Sequence, residues 1–289
     1  MDRPLNVVLI GDVCIDHNIH PHGEYFSWGS PALFTAQYLT RSELATPTVI
    51  SERGPDFAAY ANGFSFYPAA ARLKETVVFV NDTRGDVRIQ KCHNMSASHH
   101  VPLDGTYKSL LSDADVVIVC TFLPSFTADY LRTILRETSK NALKVLIPQG
   151  FLRQIGPSNQ IIPQESEQLR KVIDGFDLMI LSDEDYPDAT AWAHKWLDIN
   201  NRIKIVVTEA ESGATVIAKN QTEHIPTQPI PDDEYIDSVG AGDVFTAATA
   251  LSYAANRDIV NAVKAGHAAA AEHLRSRAVG VVEPDLDAV

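Results

Sequence analysis

The sequence predicts an α/β fold: a doubly wound, mostly parallel sheet flanked by helices, with a small β-sheet lid. The first observation is a set of short runs, at residues 6–11, 116–120, 145–147, 178–181 and 205–207, that are apolar without alternation. A strand apolar on both sides is covered on both sides, as in a parallel sheet between helical layers. The second is that segments around 126–139, 166–174 and 189–200 have helical length and composition, which gives a strand-helix rhythm. The third is a break in that rhythm. Residues 76–80 and 86–91 are strand-like and enclose the turn signal Asn81-Asp-Thr-Arg-Gly85, which predicts an antiparallel hairpin projecting from the sheet.

Each apolar run ends in polar residues: Asp12, Thr121, Gln149, Ser182 with Asp183, and Thr208 with Glu209. The carboxyl ends of parallel strands face the ligand crevice, although a polar residue after a strand also simply starts a loop. A chain of 289 residues with 45% hydrophobic content is long enough for one large core, so a single domain over 1–289 is expected. A net charge of −13 argues against nucleic acid as partner. Three cysteines without C-x-x-C spacing suggest neither a disulfide framework nor a zinc site. They fit a reduced cytoplasmic setting. No apolar run reaches membrane-spanning length, so no membrane is expected.

Asp237-Ser-Val-Gly-Ala-Gly-Asp243 is the most chemically loaded stretch. Gly240, Ala241 and Gly242 carry almost no side chain, and the residues from Val244 to Asn256 have the composition of a helix. Converging N–H groups at a helix start make an anion hole for a phosphate oxygen. Asp243 is an unexpected neighbour for an anion unless it accepts the proton of an attacking hydroxyl. An Asp at the cap of an ordinary helix is the alternative.

This stretch resembles the D-T-x-G-A-G-D signature of the ribokinase-like (PfkB) carbohydrate kinases, with Ser238 in place of Thr. The resemblance implies a ribokinase-like fold with lid segments at about 17–28 and 74–98. It makes Asp243 the catalytic base, with a pKa expected to be lowered by the helix end, and Gly240, Ala241 and Gly242 the anion hole. Asp237 and His267, the latter in the alanine-rich stretch 265–271, fall on the nucleotide side. Asp16 matches the family's acceptor-binding Asp, whereas Asp12, also a candidate acceptor ligand, and Cys14 depart from the usual residues.

Trp28-Gly-Ser-Pro-Ala-Leu-Phe34 resembles the early G-G-x-x-x-N motif; Gly29 is kept, Ser30 replaces the second glycine and Phe34 the Asn. An aromatic at that place is similar to the myo-inositol kinase-like branch. Phe34 either packs on the C–H face of a ring or is helix core. Arg153 reaches either a substrate oxygen or phosphate, or pairs with a surface acid. Ser182-Asp-Glu-Asp185 resembles N-x-x-E, which assigns Asp185 to Mg²⁺ through water. Thr208-Glu-Ala-Glu-Ser-Gly213 resembles T-x-G-x-x-G; Thr208, Glu211 and Gly213 fall on the nucleotide, and Ala210 replaces the first glycine. His17, His20 and His22 are expected in a solvated loop or against the substrate rather than on a metal.

The function implied is transfer of the γ-phosphoryl of ATP, with Mg²⁺ and room for a monovalent cation (K⁺), to a hydroxyl of a small sugar or polyol, by a monomer or homodimer. A nucleoside kinase of the same fold and a non-catalytic ligand-binding member are the alternatives. An oxidoreductase would need G-x-G-x-x-G after the first strand, and residues 11–16 supply only its first glycine.

Overall fold

In the first strand, Val7 and Leu9 face one helical layer while Val8 and Ile10 face the other, so every position from Val7 to Ile10 is apolar. The structure, a computed structural model, describes residues 3–21, 23–85, 89–95, 100–231, 234 and 238–277. Its elements run β1 (Leu5–Ile10), β2 (Cys14–His20), β3 (Gly23–Gly29), α1 (Pro31–Ser42), β4 (Ala45–Ile50), β5 (Phe66–Tyr67), β6 (Val77–Asp82) and β7 (Ile89–His93). There follow α2 (Gly105–Ser112), β8 (Val116–Cys120), α3 (Ala128–Glu137), β9 (Leu143–Ile147), β10 (Arg153–Ile155), β11 (Ile161–Pro163), α4 (Glu167–Val172), β12 (Leu178–Ser182) and α5 (Ala189–Ile199). The chain then forms β13 (Lys204–Thr208), β14 (Ala214–Ala218), β15 (Gln221–Ile225), α6 (Ala241–Asn256) and α7 (Ile259–Arg277).

Among the described residues the main sheet has nine strands in the order β15-β14-β13-β12-β9-β8-β1-β4-β5, parallel except for the β13–β14–β15 edge. The five predicted runs are its β1, β8, β9, β12 and β13. Helices α1, α6 and α7 cover one face, and α2 to α5 the other. Chain order reverses between β1 and β8, which is where an open α/β sheet places its ligand crevice. The two strands approach closely there: a Cβ on Gly11 would lie 2.3 Å from the Cys120 carbonyl oxygen.

A four-stranded mixed sheet, β3-β2-β6-β7, forms the lid. The expected hairpin is β6 and β7, paired antiparallel with Asn81 opposite Gln90; residues 86–88 of its second strand lie outside the described residues. The histidines are a correction. His17 and His20 are in strand β2, not in a loop: the His17 ring stacks on Phe26 at 4.3 Å between centroids, and that of His20 on Tyr25 at 5.6 Å. Aromatic partners across the β2–β3 hairpin supply the cohesion a solvated loop lacks. His22 lies outside the described residues. Strand β4 escaped the sequence reading because Thr46, Pro47 and Thr48 obscure its apolar face, though Pro47 sits opposite Val7 inside the sheet. Among the described residues no helix is long and apolar enough to cross a membrane.

Candidate active site

A cleft of about 510 Å³ lies between the lid and the carboxyl ends of the main strands. The end where the sequence expects an acceptor is built by β2 and the start of α1. The Asp16 carboxyl is buried and lies directly over Gly29: a Cβ there would come within 2.1–2.2 Å of the carboxyl atoms. Burial and the neighbouring acids hold the Cys14 thiol protonated, well above its usual range, and it donates to Asp16 Oδ1 at 3.2 Å. Ser30 caps α1, accepting from the Leu33 amide at 3.4 Å, yet its φ is 125°, a backbone that suits the glycine it replaces. Asp12 is buried beside the cleft rather than in its lining, and its carboxylate accepts from Ser125 at 2.8 Å.

Phe34 settles between its two readings by doing part of each. Its ring lines the cleft and also packs on the backbone of Gly240, where a Cβ would fall 2.3 Å from a ring carbon. Trp28 lies 4.8 Å away on one side and His273 6.2 Å on the other, and His273 also bonds the Val239 carbonyl at 2.9 Å.

The turn before α6 is where the sequence expects an anion hole of Gly240, Ala241 and Gly242, but the Ala241 amide is already engaged within the turn. Gly240 has φ 82°, and the amides of Ala241 and Val244 donate to Ser238 and Gly240 oxygens at 3.1 and 2.9 Å. The first amides of a helix have no partner within it, so Gly242 and Asp243 are the N–H groups left for an anion. A Cβ on Gly242 would meet nothing within 4 Å, so the approach is open. Asp237 lies outside the described residues.

Asp243 follows in the first turn, and here an expectation is overturned. Its pKa is not lowered by the helix end but raised to about 8, by burial first and then by the charges of Asp185 and Asp16, with Arg153 opposing. Desolvation beside two carboxylates outweighs the helix dipole. Arg153 is not paired with a surface acid either. It lines the cleft with its guanidinium 3.6 Å from Asp185, both side chains nearly buried.

Asp185 accepts from Gln149 at 2.8 Å and from the Ser182 amide at 3.0 Å. The Ser182 hydroxyl is turned into its own loop, accepting from the Glu184 amide at 3.2 Å. Among the described residues no group of three or more His, Cys, Asp or Glu forms a metal cage. Mg²⁺ fits this arrangement none the less, because it keeps much of its water and takes one or two carboxylates plus phosphates, and Asp185 with Glu184 offers hard oxygens in a field already negative.

The end where the sequence expects the nucleotide is shaped by backbone. Gly213 has φ 115° and no room for a Cβ, which would sit 2.3 Å from the Ile225 carbonyl oxygen. Ala210 has φ 46°, again a glycine-like backbone at a replaced glycine. Thr208 and Glu211 line the cleft with them, and Pro229, Ile230, Ala270, Ala271 and Leu274 add an apolar wall. His267 lines the cleft 5.3 Å from the Phe245 ring, its Nε2 buried without a hydrogen-bond partner among the described residues and its pKa lowered by burial and by His224.

A family model for pfkB family carbohydrate kinases matches residues 108–285, well over half of the chain. The chain belongs to this family. PfkB-type sugar kinases are phosphotransferases with alcohol acceptors. Among curated proteins, the bifunctional protein HldE of Mesorhizobium japonicum is 24% identical over 302 residues, covering 92% of this chain and 58% of that protein. The chain thus spans little more than half the length of that relative. Among solved structures, a pyrophosphate-dependent kinase in the ribokinase family, complexed with a pyrophosphate analog and myo-inositol, superposes with a TM-score of 0.75 at 16% identity, covering 93% of this chain and 95% of that one. Ribokinase from Thermotoga maritima gives 0.66 at 14%, covering 97% and 95%. At these identities the likeness establishes the ribokinase-like fold.

Against this PfkB frame, the sequence reading missed the lid's contribution. Asn81 and Gln90 line the cleft from β6 and β7, and Phe79 and Phe122 form an edge-to-face pair at 5.6 Å beneath the lid. Gln149 was noted only as a polar residue after a strand. Asn81 and Gln90 belong to a predicted hairpin, but which of its faces turns inward depends on the pairing of β6 with β2, a contact between segments about sixty residues apart.

Proposed function

We propose that this PfkB-family chain transfers the γ-phosphoryl group of ATP to a hydroxyl of a small sugar or polyol. The observation that carries the proposal is the position of Asp243, in one cleft with Asp16 on the acceptor side and beside the open amides of α6 on the donor side. Asp16 orders an acceptor hydroxyl. The Asp243 carboxylate takes the proton of the attacking hydroxyl as its oxygen bonds to phosphorus, the bond to ADP breaks, and the α6 amides hold the charge on the transferred group. Asp185 would help to hold Mg²⁺, which would supply neutralisation of the donor phosphates. With a pKa of about 8, Asp243 is a base whose strength is matched to the slightly alkaline range.

ATP is favoured over pyrophosphate on two grounds. The apolar wall of Ile230, Ala270, Ala271 and Leu274 suits a base and does nothing for a bare phosphate. Pyrophosphate carries dense charge and calls for cations, yet among the described residues lining the cleft the only Lys or Arg is Arg153, already beside Asp185. Three buried thiols, Cys14, Cys92 and Cys120, support a reducing compartment such as the cytoplasm.

The test is a panel of pentoses, hexoses, myo-inositol and nucleosides with Mg²⁺ and either ATP or pyrophosphate. ADP release with a sugar or polyol is the expected result. Turnover with pyrophosphate alone would replace the donor, and no turnover with any pair would leave a ligand-binding protein in place of a kinase.

A further inference from the structure

The turn that leads into α6 is held from behind by a side chain that stands outside the cleft lining. The Ala241 amide donates to the Ser238 carbonyl at 3.1 Å, and Gly240 between them has φ 82° and ψ −7°. Those angles at the third residue make a type II turn, which glycine adopts without strain. Type I and type II turns differ chiefly in the direction of the central peptide, here the one that joins Val239 to Gly240. That peptide is trans, so its carbonyl and its N–H point opposite ways and one orientation fixes both.

Among the described residues, two side chains from other helices reach the backbone of 238–243. Thr35 of α1, fully buried, donates to the Asp243 carbonyl at 3.4 Å. His273 of α7 bonds the Val239 carbonyl at 2.9 Å, and because a carbonyl only accepts, Nε2 is the nitrogen that carries the hydrogen. The imidazole is aimed by its neighbour: it meets the Phe34 ring edge to face, at 82° between planes, and Phe34 in turn packs on Gly240. Val239, Gly240 and Ala241 line the cleft, whereas His273 does not. Reversal of the Val239–Gly240 peptide would therefore swing the carbonyl oxygen from His273 to the cleft side of the turn, where it would repel an anion. Val239 is half-buried, so water would satisfy its oxygen equally well. A donor from a separate helix adds what water does not, a fixed side for that oxygen.

We propose that His273 is a positioning residue, which keeps the Val239–Gly240 peptide in its type II orientation and so keeps the turn open to the transferred phosphoryl group. The assignment rests on the kinase reading above, and hydrogen exchange gives it a readout that does not. Three variants separate the ring from its donor. His273→Phe keeps the edge-to-face contact and loses the N–H. His273→Gln places an amide N–H close to the position of Nε2, and His273→Asn carries the same amide too short to reach. For each, kcat and KM are measured with ATP, Mg²⁺ and myo-inositol, D-glucose or D-ribose, and amide exchange in 238–244 is followed by mass spectrometry.

In His273→Phe and His273→Asn, kcat should fall by about tenfold or more with both KM values within about threefold, because the turn acts most strongly on charge that builds during transfer. Exchange in 238–244 should quicken by about fivefold or more in the same two variants, as for one hydrogen bond lost, with the main sheet unchanged. His273→Gln should return both readings to within about threefold of the wild type. A residue that serves stability alone would lower the unfolding midpoint and leave kcat per folded molecule unchanged, and that result overturns the proposal. Equal losses in the Gln and Asn variants overturn it too, as does unchanged exchange in 238–244 in every variant. Local exchange that quickens with Phe and Asn and recovers with Gln, in a protein that transfers no phosphate, supports the positioning role while refuting the kinase reading.

Discussion

In the proposed kinase the two ends of the cleft differ in what they offer a ligand. At the acceptor end the work falls to side chains locked by one another: Asp16 over Gly29 with a thiol on one oxygen, and the Asn18, Asn81 and Gln90 amides bonded in a row across the lid. At the donor end it falls to backbone, in turns at Ala210, Gly213 and Gly240 with φ of 46°, 115° and 82°. The difference teaches what each end tolerates. A side-chain site fails when a charge or hydrogen bond is lost, whereas a backbone site fails when a Cβ is gained. Asp243 stands at the join and belongs to both.

The largest effect is therefore expected at Asp243. Asp243→Asn keeps the shape and removes the proton acceptor, so kcat should fall by about 10²–10⁴-fold with ATP affinity unchanged or improved, as steady-state and binding measurements would read. The wild-type kcat/KM should rise with pH, reach half its maximum near the pKa of about 8 and level off above it. Stability carries the opposite sign. A carboxyl whose folded pKa lies above its ordinary 3.8 stabilises the fold fully below that value and loses the contribution as pH rises towards 8. Urea midpoints of the empty protein should accordingly fall across that window, and the Asn variant should flatten the dependence. A wild-type profile as flat as the variant's would place Asp243 in a wetter site than the cleft provides.

Next is Gly240→Ala, which tests the backbone end directly. The added Cβ meets the Phe34 ring at 2.3 Å and requires φ 82° of an alanine. We expect a loss of ~1–3 kcal/mol in unfolding free energy and a fall in kcat of at least about tenfold. Adding Phe34→Ala should recover part of the stability by removing the clash, but not the part due to φ. Full recovery would mean that the turn carries no backbone constraint.

Asp16→Asn tests the side-chain end. Acceptor affinity should drop by ~1–3 kcal/mol while ATP binding persists, measured by titrating each ligand separately. Loss of ATP binding with acceptor binding intact would reverse the assignment of the two ends.

The smallest effect is a gain. Ala210→Gly restores a residue that adopts φ 46° without penalty, and should raise stability by up to ~1 kcal/mol in a denaturant titration. A destabilised variant would show that the Ala210 methyl packs to more advantage than its backbone costs.

Much of this was legible in the sequence, for a physical reason. Strands β1, β8, β9, β12 and β13 announce themselves because burial on both faces leaves no polar position, and the α6 turn announces itself because only small residues fit where amides must converge. The motif that ends at Asp243 put that carboxyl in the cleft, and Gly29, Gly213 and Gly240 each proved to be a place where a Cβ has no room. Local pattern was misleading where partners are distant. His17 and His20 looked like a polar loop until Phe26 and Tyr25 came to lie against them across a hairpin. Helix position alone predicted a low pKa for Asp243, because Asp185 and Asp16, dozens to hundreds of residues away, are brought near it only by the fold.

The sequence by itself thus determined the layered sheet, through composition within short segments, and pointed through one motif to the family and to Asp243 as the proposed base. Only the tertiary structure decided that Phe34 supports Gly240, that Arg153 rests beside Asp185, and that Asn18, Asn81 and Gln90 form one row of which the last two line the cleft. Those are contacts between segments far apart in the chain, set by sheet register and helix packing. No local pattern encodes them.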